Sequence, residues 1–402
     1  MDIESPVTTQ ILDRWDPYDP VINQNPYPIF RHFRENVPLY YNEQYDFYAL
    51  SRHDDVEAGL SDHETFISGY GGLLEFIKAG IPMPRGMFIF EDDPAHAIHR
   101  GIVARVFTPK KMEALEQKIR AFTASCLDPF VGESGFDFVA HLGAVMPMRV
   151  IGMLLGIPET DTESVRQRVD ATMRTEEGQA LDADLSYLGE GIEEYIDWRW
   201  KNPSDDLTSQ LIQAKIVDES GTERGLTRDE VLAFATVLVG AGNETTNRLI
   251  GWAGKVLGDH PEQRRQLVEN PALIANAVEE ILRYEPPTPH LARYVTRDVE
   301  FYGQTVPKGS ALILLSGSAN RDESRYKNGD SFDINREKRP HITFGYGIHT
   351  CLGAALTRVE GRIALEEVLK RFPDWQVDSA RAALTSSSST RGWETLPVIF
   401  GA

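Results

Sequence analysis

Thr227 is followed three residues later by Glu230, and an apolar helical pattern then runs without a proline to about Gly258. A threonine cap with a glutamate three places on is a capping box, each side chain taking an otherwise unpaired N–H at the helix start. About 31 residues at 1.5 Å each predict a helix of roughly 46 Å. A rod that long crosses an entire domain, so the remaining elements have to pack around it. Its middle, Gly240-Ala241-Gly242-Asn243-Glu244-Thr245-Thr246, departs from the apolar pattern. Two interior glycines cost a helix about 1 kcal/mol each. They are expected where something large approaches the backbone, or where the helix opens locally.

The flanking sequence reads mostly as helix. Periodic stretches start at Asp93-Pro94 and continue through Lys110–Phe130, Phe138–Leu155, Asp161–Arg174, Leu181–Trp200, Asp205–Lys215, Pro261–Val268 and Pro271–Glu285; another covers Ala354–Arg371. A short amphipathic helix opens at Asn25-Pro26-Tyr27. Alternating strands are predicted at Pro38–Tyr41, Phe47–Leu50, Arg293–Thr296, Val299–Tyr302, Gln304–Val306, Ala311–Leu315 and in the tail at Gln376-Val377, Ser386–Ser389 and Leu396–Phe400. The chain is therefore expected to be mainly α with minor β: helical over 93–285 and 354–371, β-rich near 38–50, 293–315 and 376–400. No linker or internal repeat divides it, so residues 1–402 are read as a single domain. Phe66–Phe90 is Gly-rich yet apolar, and a long loop of that kind in a compact domain is often a binding element.

Composition excludes several classes. A net charge of −20 opposes nucleic acid and strongly anionic membrane surfaces as partners. No apolar run reaches the roughly 20 residues of a membrane span, and the N-terminus lacks a signal-peptide pattern. Two cysteines, Cys126 and Cys351, make no disulfide framework and suit a reducing, cytoplasmic setting. A monomer is expected.

Cys351 lies in Phe344-Gly345-Tyr346-Gly347-Ile348-His349-Thr350-Cys351-Leu352-Gly353, directly before the helix at Ala354. N–H groups at a helix start favour an anion, and a cysteine there is expected to have a depressed pKa. The thiolate would be a nucleophile or a metal ligand; the bland alternative is a core cysteine beside a cap. Phe-x-x-Gly-x-His-x-Cys-x-Gly resembles the haem-ligand signature of the cytochrome P-450 monooxygenases. The likeness extends from about Pro26 to Val398 in motif order, and departs at Asn320-Arg321-Asp322-Glu323, where the family commonly has proline after the aspartate.

The resemblance implies the cytochrome P-450 fold, a helical domain with a long central helix plus small antiparallel sheets. It implies haem b (iron protoporphyrin IX) with Cys351 as the metal ligand, and Phe344, Gly345 and Gly353 shaping the loop around the sulfur. His96, Arg100, Arg293 and His349 match the residues that grip the haem carboxylates. Ala241, Glu244 and Thr245 resemble the oxygen-activating motif, in which a hydroxyl and an acid deliver protons. Glu280 and Arg283 match a buried pair, with Arg336 as third member, that holds the cysteine loop. The substrate pocket is assigned by position to Phe88, Met173, Val237, Ala241, Leu291 and Ser389. The function implied is hydroxylation or epoxidation of an apolar small molecule with O2. Electrons would come from a ferredoxin or flavodoxin with its reductase, docking on a basic patch of Lys110, Lys111, Arg358 and Arg362. Competing readings are a peroxide-driven or oxidative-coupling enzyme, and a non-catalytic haem sensor or ligand store.

Overall fold

The computed structural model describes residues 12–173, 175, 178–181, 189, 191–385, 387 and 389–401. The capping box forms as expected: Glu230 N donates to Thr227 Oγ1 at 3.2 Å, and Thr227 N to Glu230 Oε2 at 2.8 Å. The helix then runs unbroken from Arg228 to Asp259, 32 residues. Phe234, Val239, Leu249 and Leu257 are wholly buried along it. Gly242 does not open it: a Cβ there would stand 3.4 Å from Ile151, and one at Gly254 would fall 2.6 Å from the Phe138 ring. Gly254 thus serves the close approach of Phe138, and the large core is built around this helix by Met146–Leu155, Ile274–Tyr284 and Ala354–Arg371. Among the described residues no helix is long and apolar enough to cross a membrane.

The strands form small separate sheets. The largest runs in the order Leu39–Asn42, Phe47–Leu50, Ala311–Leu314, Leu291–Val295, Phe66–Ile67. Its pairings are antiparallel except that Ala311–Leu314 lies parallel to Phe47–Leu50. A second sheet joins the tail strands Trp375–Val377 and Pro397–Phe400 to Gly135–Asp137, which sequence periodicity did not identify.

Several elements differ from expectation. Phe66–Phe90 is not one loop: it contains the strand Phe66–Ile67, a helix Leu74–Ala79 ended by left-handed Gly80, and a 3-10 turn Phe88–Phe90. Its many glycines and prolines hid short pieces that tertiary contacts stabilise. Lys110–Phe130 breaks into Pro109–Glu113, Glu116–Leu127 and a terminal turn, and Phe138–Leu155 into a π turn at Val139–Gly143 and a helix from Met146. After the helix Leu207–Gln213, Lys215–Val217 and Glu223–Gly225 pair as a hairpin. Of the predicted Leu181–Trp200 helix, Glu193–Lys201 is helical, while 182–188 and 190 lie outside the described residues. In the serine run, Ser387 and Ser389 sit in a loop between the strands Ala383–Leu384 and Trp393–Thr395, and positions 386 and 388 lie outside the described residues.

The Glu280–Arg283–Arg336 triad assembles. Arg283 donates to both Glu280 oxygens at 2.7 Å, and Arg336 Nε to the same carboxylate at 3.1 and 3.2 Å. The remaining guanidinium N–H groups take the carbonyls of Asn320, Gly329 and Ser331, and of Lys327, Asn328 and Ser331, respectively. Glu280 and Arg283 are almost fully buried. Removing one charge of a buried pair strands the other, at about 3–5 kcal/mol. We therefore expect Glu280→Met to lower the unfolding free energy in urea by about that amount, and Glu280→Met with Arg283→Met to lose less than the sum of the single variants.

Candidate active site

The loop 344–353 is closed on itself by Cys351 N donating to the Phe344 carbonyl at 2.7 Å. Gly345 and Gly347 have φ of +68° and +71°, the left-handed region that disfavours a side chain. A Cβ at Gly347 would also fall 2.9 Å from the Leu60 carbonyl. Gly353 caps the helix Ala354–Arg371, and a Cβ at 353 would stand 3.9 Å from Cys351 Sγ. The loop thus presents one sulfur at a helix start, with the N–H groups of Gly353 and Ala354 directed at it. Phe344 lies beside the Arg358 guanidinium and the His341 ring.

Burial nevertheless pushes the Cys351 thiol above its ordinary pKa; the Gly353 N–H, Arg100, Arg358 and the Ala354 N–H pull the other way without prevailing. The expected depressed pKa is corrected on this point: low polarity outweighs the helix start. A bound metal cation would deprotonate such a thiol outright. Cys351 also keeps solvent-accessible surface although its sulfur lies deep within the protein, so it faces interior space. Among the described residues no cluster of three or more His, Cys, Asp or Glu could hold a bare metal ion. A metal at Cys351 would therefore bring its other ligands with it.

Next to the loop stands a group of arginines and imidazoles without matching carboxylates. The His96 and His349 rings lie 4.2 Å apart. His349 is held down at about 2 by burial, Arg293, His96, Arg100 and His63, and its Nε2 is buried without a hydrogen bond. Neither His96 ring nitrogen is hydrogen-bonded; Nδ1 comes within 3.4 Å of Asp93 Oδ1, outside bonding geometry. Arg293 is buried and its pKa is lowered to about 10 by burial, with Asp92 the opposing charge. The Asp92 oxygens are already taken by the N–H groups of Ser68 and Gly69. Arg100 reaches the Thr350 carbonyl. Buried cations and orphaned imidazoles of this kind fit an anionic ligand carrying carboxylates.

On the long helix, Ala241 is exposed although Val239 and Asn243, on either side, are buried. Thr245 Oγ1 donates to the Ala241 carbonyl at 2.8 Å, the ordinary resting bond of a helical threonine. Glu244 does not meet Thr245. Its Oε1 accepts from Thr390 Oγ1 at 2.7 Å and from Arg248 Nη2 at 3.4 Å. A lone sulfur, four cationic or donor groups beside it and an open stretch of helix fit a metal macrocycle with acidic side chains, as haem is.

The positional pocket residues fare unevenly. Leu291 is half-buried, and Val237 and Ser389 are buried. Phe88 is buried against Phe234, ring centroids 5.3 Å apart, leaving Ile89 and Phe90 half-exposed beside it. Met173 ends the helix Thr162–Met173, and its side chain lies outside the described residues. The basic patch is corrected: Arg358 is bound to Glu279 and Arg362 to Glu116 and Glu366, so acids and bases alternate there. Sequence reasoning missed Glu360, buried on the cysteine helix: burial pushes its pKa well up, against the Thr246 hydroxyl, which donates to Oε2 at 3.4 Å. A glutamate inside the apolar stripe Leu356, Val359, Ile363 was the available signal.

The family model "Cytochrome P450" matches residues 176–392. A putative cytochrome P450 123 from Mycobacterium tuberculosis is 36% identical over 391 residues, covering 95% of this chain and 96% of its own. The structure of cytochrome P450 CYP109Q5 from Chondromyces apiculatus superposes with a TM-score of 0.84 at 32% identity, over 97% of this chain and 99% of that one. A mutant of P450 EryK in complex with erythromycin B gives 0.83 at 31%, over 93% and 95%. With the cysteine loop, the cation group and the long helix in place, these likenesses show that the chain belongs to the cytochrome P450 family of haem-thiolate monooxygenases.

Proposed function

We propose that this monooxygenase uses haem b, bound through Cys351, to hydroxylate or epoxidise an apolar small organic molecule with electrons from a ferredoxin or flavodoxin. The carrying observation is the loop that aims one sulfur into interior space beside an unmatched cation group. Thiolate-ligated haem supplies reductive activation of O2. The chain's residues do the rest. Gly345, Gly353 and Phe344 shape the loop and leave the sulfur approachable, and the N–H groups of Gly353 and Ala354 temper its charge. His96, Arg100, Arg293 and His349 hold the carboxylates, and Ala241 leaves room at the long helix. The Thr245 hydroxyl is the proton donor on that face. Glu244, now engaged by Thr390 and Arg248, recharges it after rotating towards Thr245 or through water.

The substrate site is assigned to the space beside Ala241, with Val237, Leu291 and Ser389 contributing and Phe88 supporting from behind. Its lining suits a mostly apolar ligand. The chain acts as one unit, and its unpaired cysteines accord with a cytoplasmic site of action. On the cysteine side, Lys110 and Lys111 stand exposed on the helix Pro109–Glu113. With Arg358 and Arg362 tied to acids, these lysines are the better contacts for an acidic electron carrier.

The reduced protein with carbon monoxide is expected to show the strongly red-shifted Soret band of thiolate-ligated haem, and Cys351→Ala to lose it. A folded, haem-containing wild type without that band overturns the assignment. Thr245→Ala should leave this spectrum intact yet cut product per electron by about 100-fold, the low end for a positioned proton donor; unchanged coupling would remove Thr245 from the proton path. Lys110→Glu with Lys111→Glu should raise KM for a reduced ferredoxin about tenfold at low salt and less at high salt, with chemical reduction by dithionite unaffected.

A further inference from the structure

His99 shares a helix with His96 and Arg100, yet its ring meets different neighbours. It is 1% exposed and lies against Phe234, Glu91 and Glu230. Nδ1 stands 2.7 and 2.9 Å from the two Glu91 oxygens. An ionised carboxylate only accepts, so Nδ1 carries the proton. Nε2 has no hydrogen-bond partner and faces Glu230 Oε1 at 3.8 Å. Glu230 belongs to the first turn of the long helix and is itself gripped by Arg224 at 2.7 and 2.8 Å.

The same two glutamates hold segment 80–91. Glu91 Oε1 accepts from Gly86 N at 2.7 Å. Gly86 has φ +90°, and a Cβ there would fall 2.8 Å from the Glu230 carbonyl. Backbone therefore lies directly on backbone at this point. Arg85 reaches Glu219 at 2.8 Å and Glu230 at 3.6 Å, but stands exposed, as do Ile81, Pro82 and Pro84. At its far end the segment seats Phe88 on Phe234 and places Phe90 next to Gly72, close to Arg293. It thus separates solvent from the edge of the haem site. Exposed ion pairs hold such a segment weakly, whereas a buried charge-assisted hydrogen bond holds it well.

We propose that the His99–Glu91 pair is the latch of segment 80–91: it keeps Gly86 on the first turn of the long helix, and its opening sets how fast a bulky ligand reaches the site. Opening of the segment is independent of the haem assignment; the effect on ligand access rests on it. The test uses the haem-loaded protein and the variants His99→Phe, which keeps a ring against Phe234, and Glu91→Gln, which keeps the side-chain shape. Hydrogen–deuterium exchange in residues 80–91 should quicken about tenfold, as for loss of one hydrogen bond to a charged group, while exchange in 95–104 and haem retention stay as in the wild type. Stopped-flow association of 4-phenylimidazole should quicken several-fold and that of cyanide should not. Unchanged exchange in 80–91 in both variants overturns the proposal. So does a uniform rise across 80–104 with haem loss, which would make His99 a general packing residue. Quickened exchange with unchanged 4-phenylimidazole association overturns the access half alone.

Discussion

One carboxylate, Glu280, carries two guanidinium groups, and much of the cysteine side of the molecule hangs from it. Arg283, held by Glu280, takes the Asn320 carbonyl. The Asn320 side chain donates to Thr343 Oγ1 at 2.8 Å and accepts from Ile342 N at 2.7 Å. Thr343 Oγ1 in turn donates to the Leu282 carbonyl on the helix that carries Glu280. This closed circuit of buried and half-buried bonds ends one residue before Phe344, whose carbonyl fixes Cys351. An irregular segment cannot order itself through a regular ladder, so its backbone groups need partners such as these.

The opposite constraint operates next to the loop. Arg293 and His96 are buried, and His349 half-buried, without a full set of partners, which is costly in the protein alone. A ligand supplying two carboxylates offsets that cost, and any group that binds only the folded state raises its stability by mass action. The thiol follows the same logic, since its burial disfavours the charged form until a metal compensates. On the proposed reading, site and cofactor would complete each other's electrostatics, and the brace supplies rigidity to the loop beside them. On the long helix, Glu244 rests on Thr390 and Arg248, which ties the acid to the tail at Thr390 instead of leaving it free beside Thr245.

Motifs whose chemistry is local were legible in the sequence. The capping box at Thr227 and Glu230, the long helix and the helix Ala354–Arg371 depend on neighbours within a turn or two, so spacing discloses them; the Glu280-x-x-Arg283 pair stood out only through the family resemblance. The glycines at 345 and 353 marked a loop shaped around the sulfur. Elements that exist only by distant contact were not legible: the strand Gly135–Asp137, the helix Leu74–Ala79 within a Gly-rich stretch, and the pairing of Arg358 with Glu279. Their formation depends on partners remote in the chain.

The amino-acid sequence by itself determined the order of the motifs, the mainly helical class and the placing of Cys351 directly before a helix start, because these reside in residue type and short-range period. Only the tertiary structure decided the state of those residues. It set the Cys351 thiol upwards through burial, turned Glu244 towards Thr390, consumed the charge of Arg358 and Arg362 in ion pairs, and brought His99 between Glu91 and Glu230. Each outcome depends on which groups, far apart in the chain, share a low-polarity neighbourhood, and that is a property of packing.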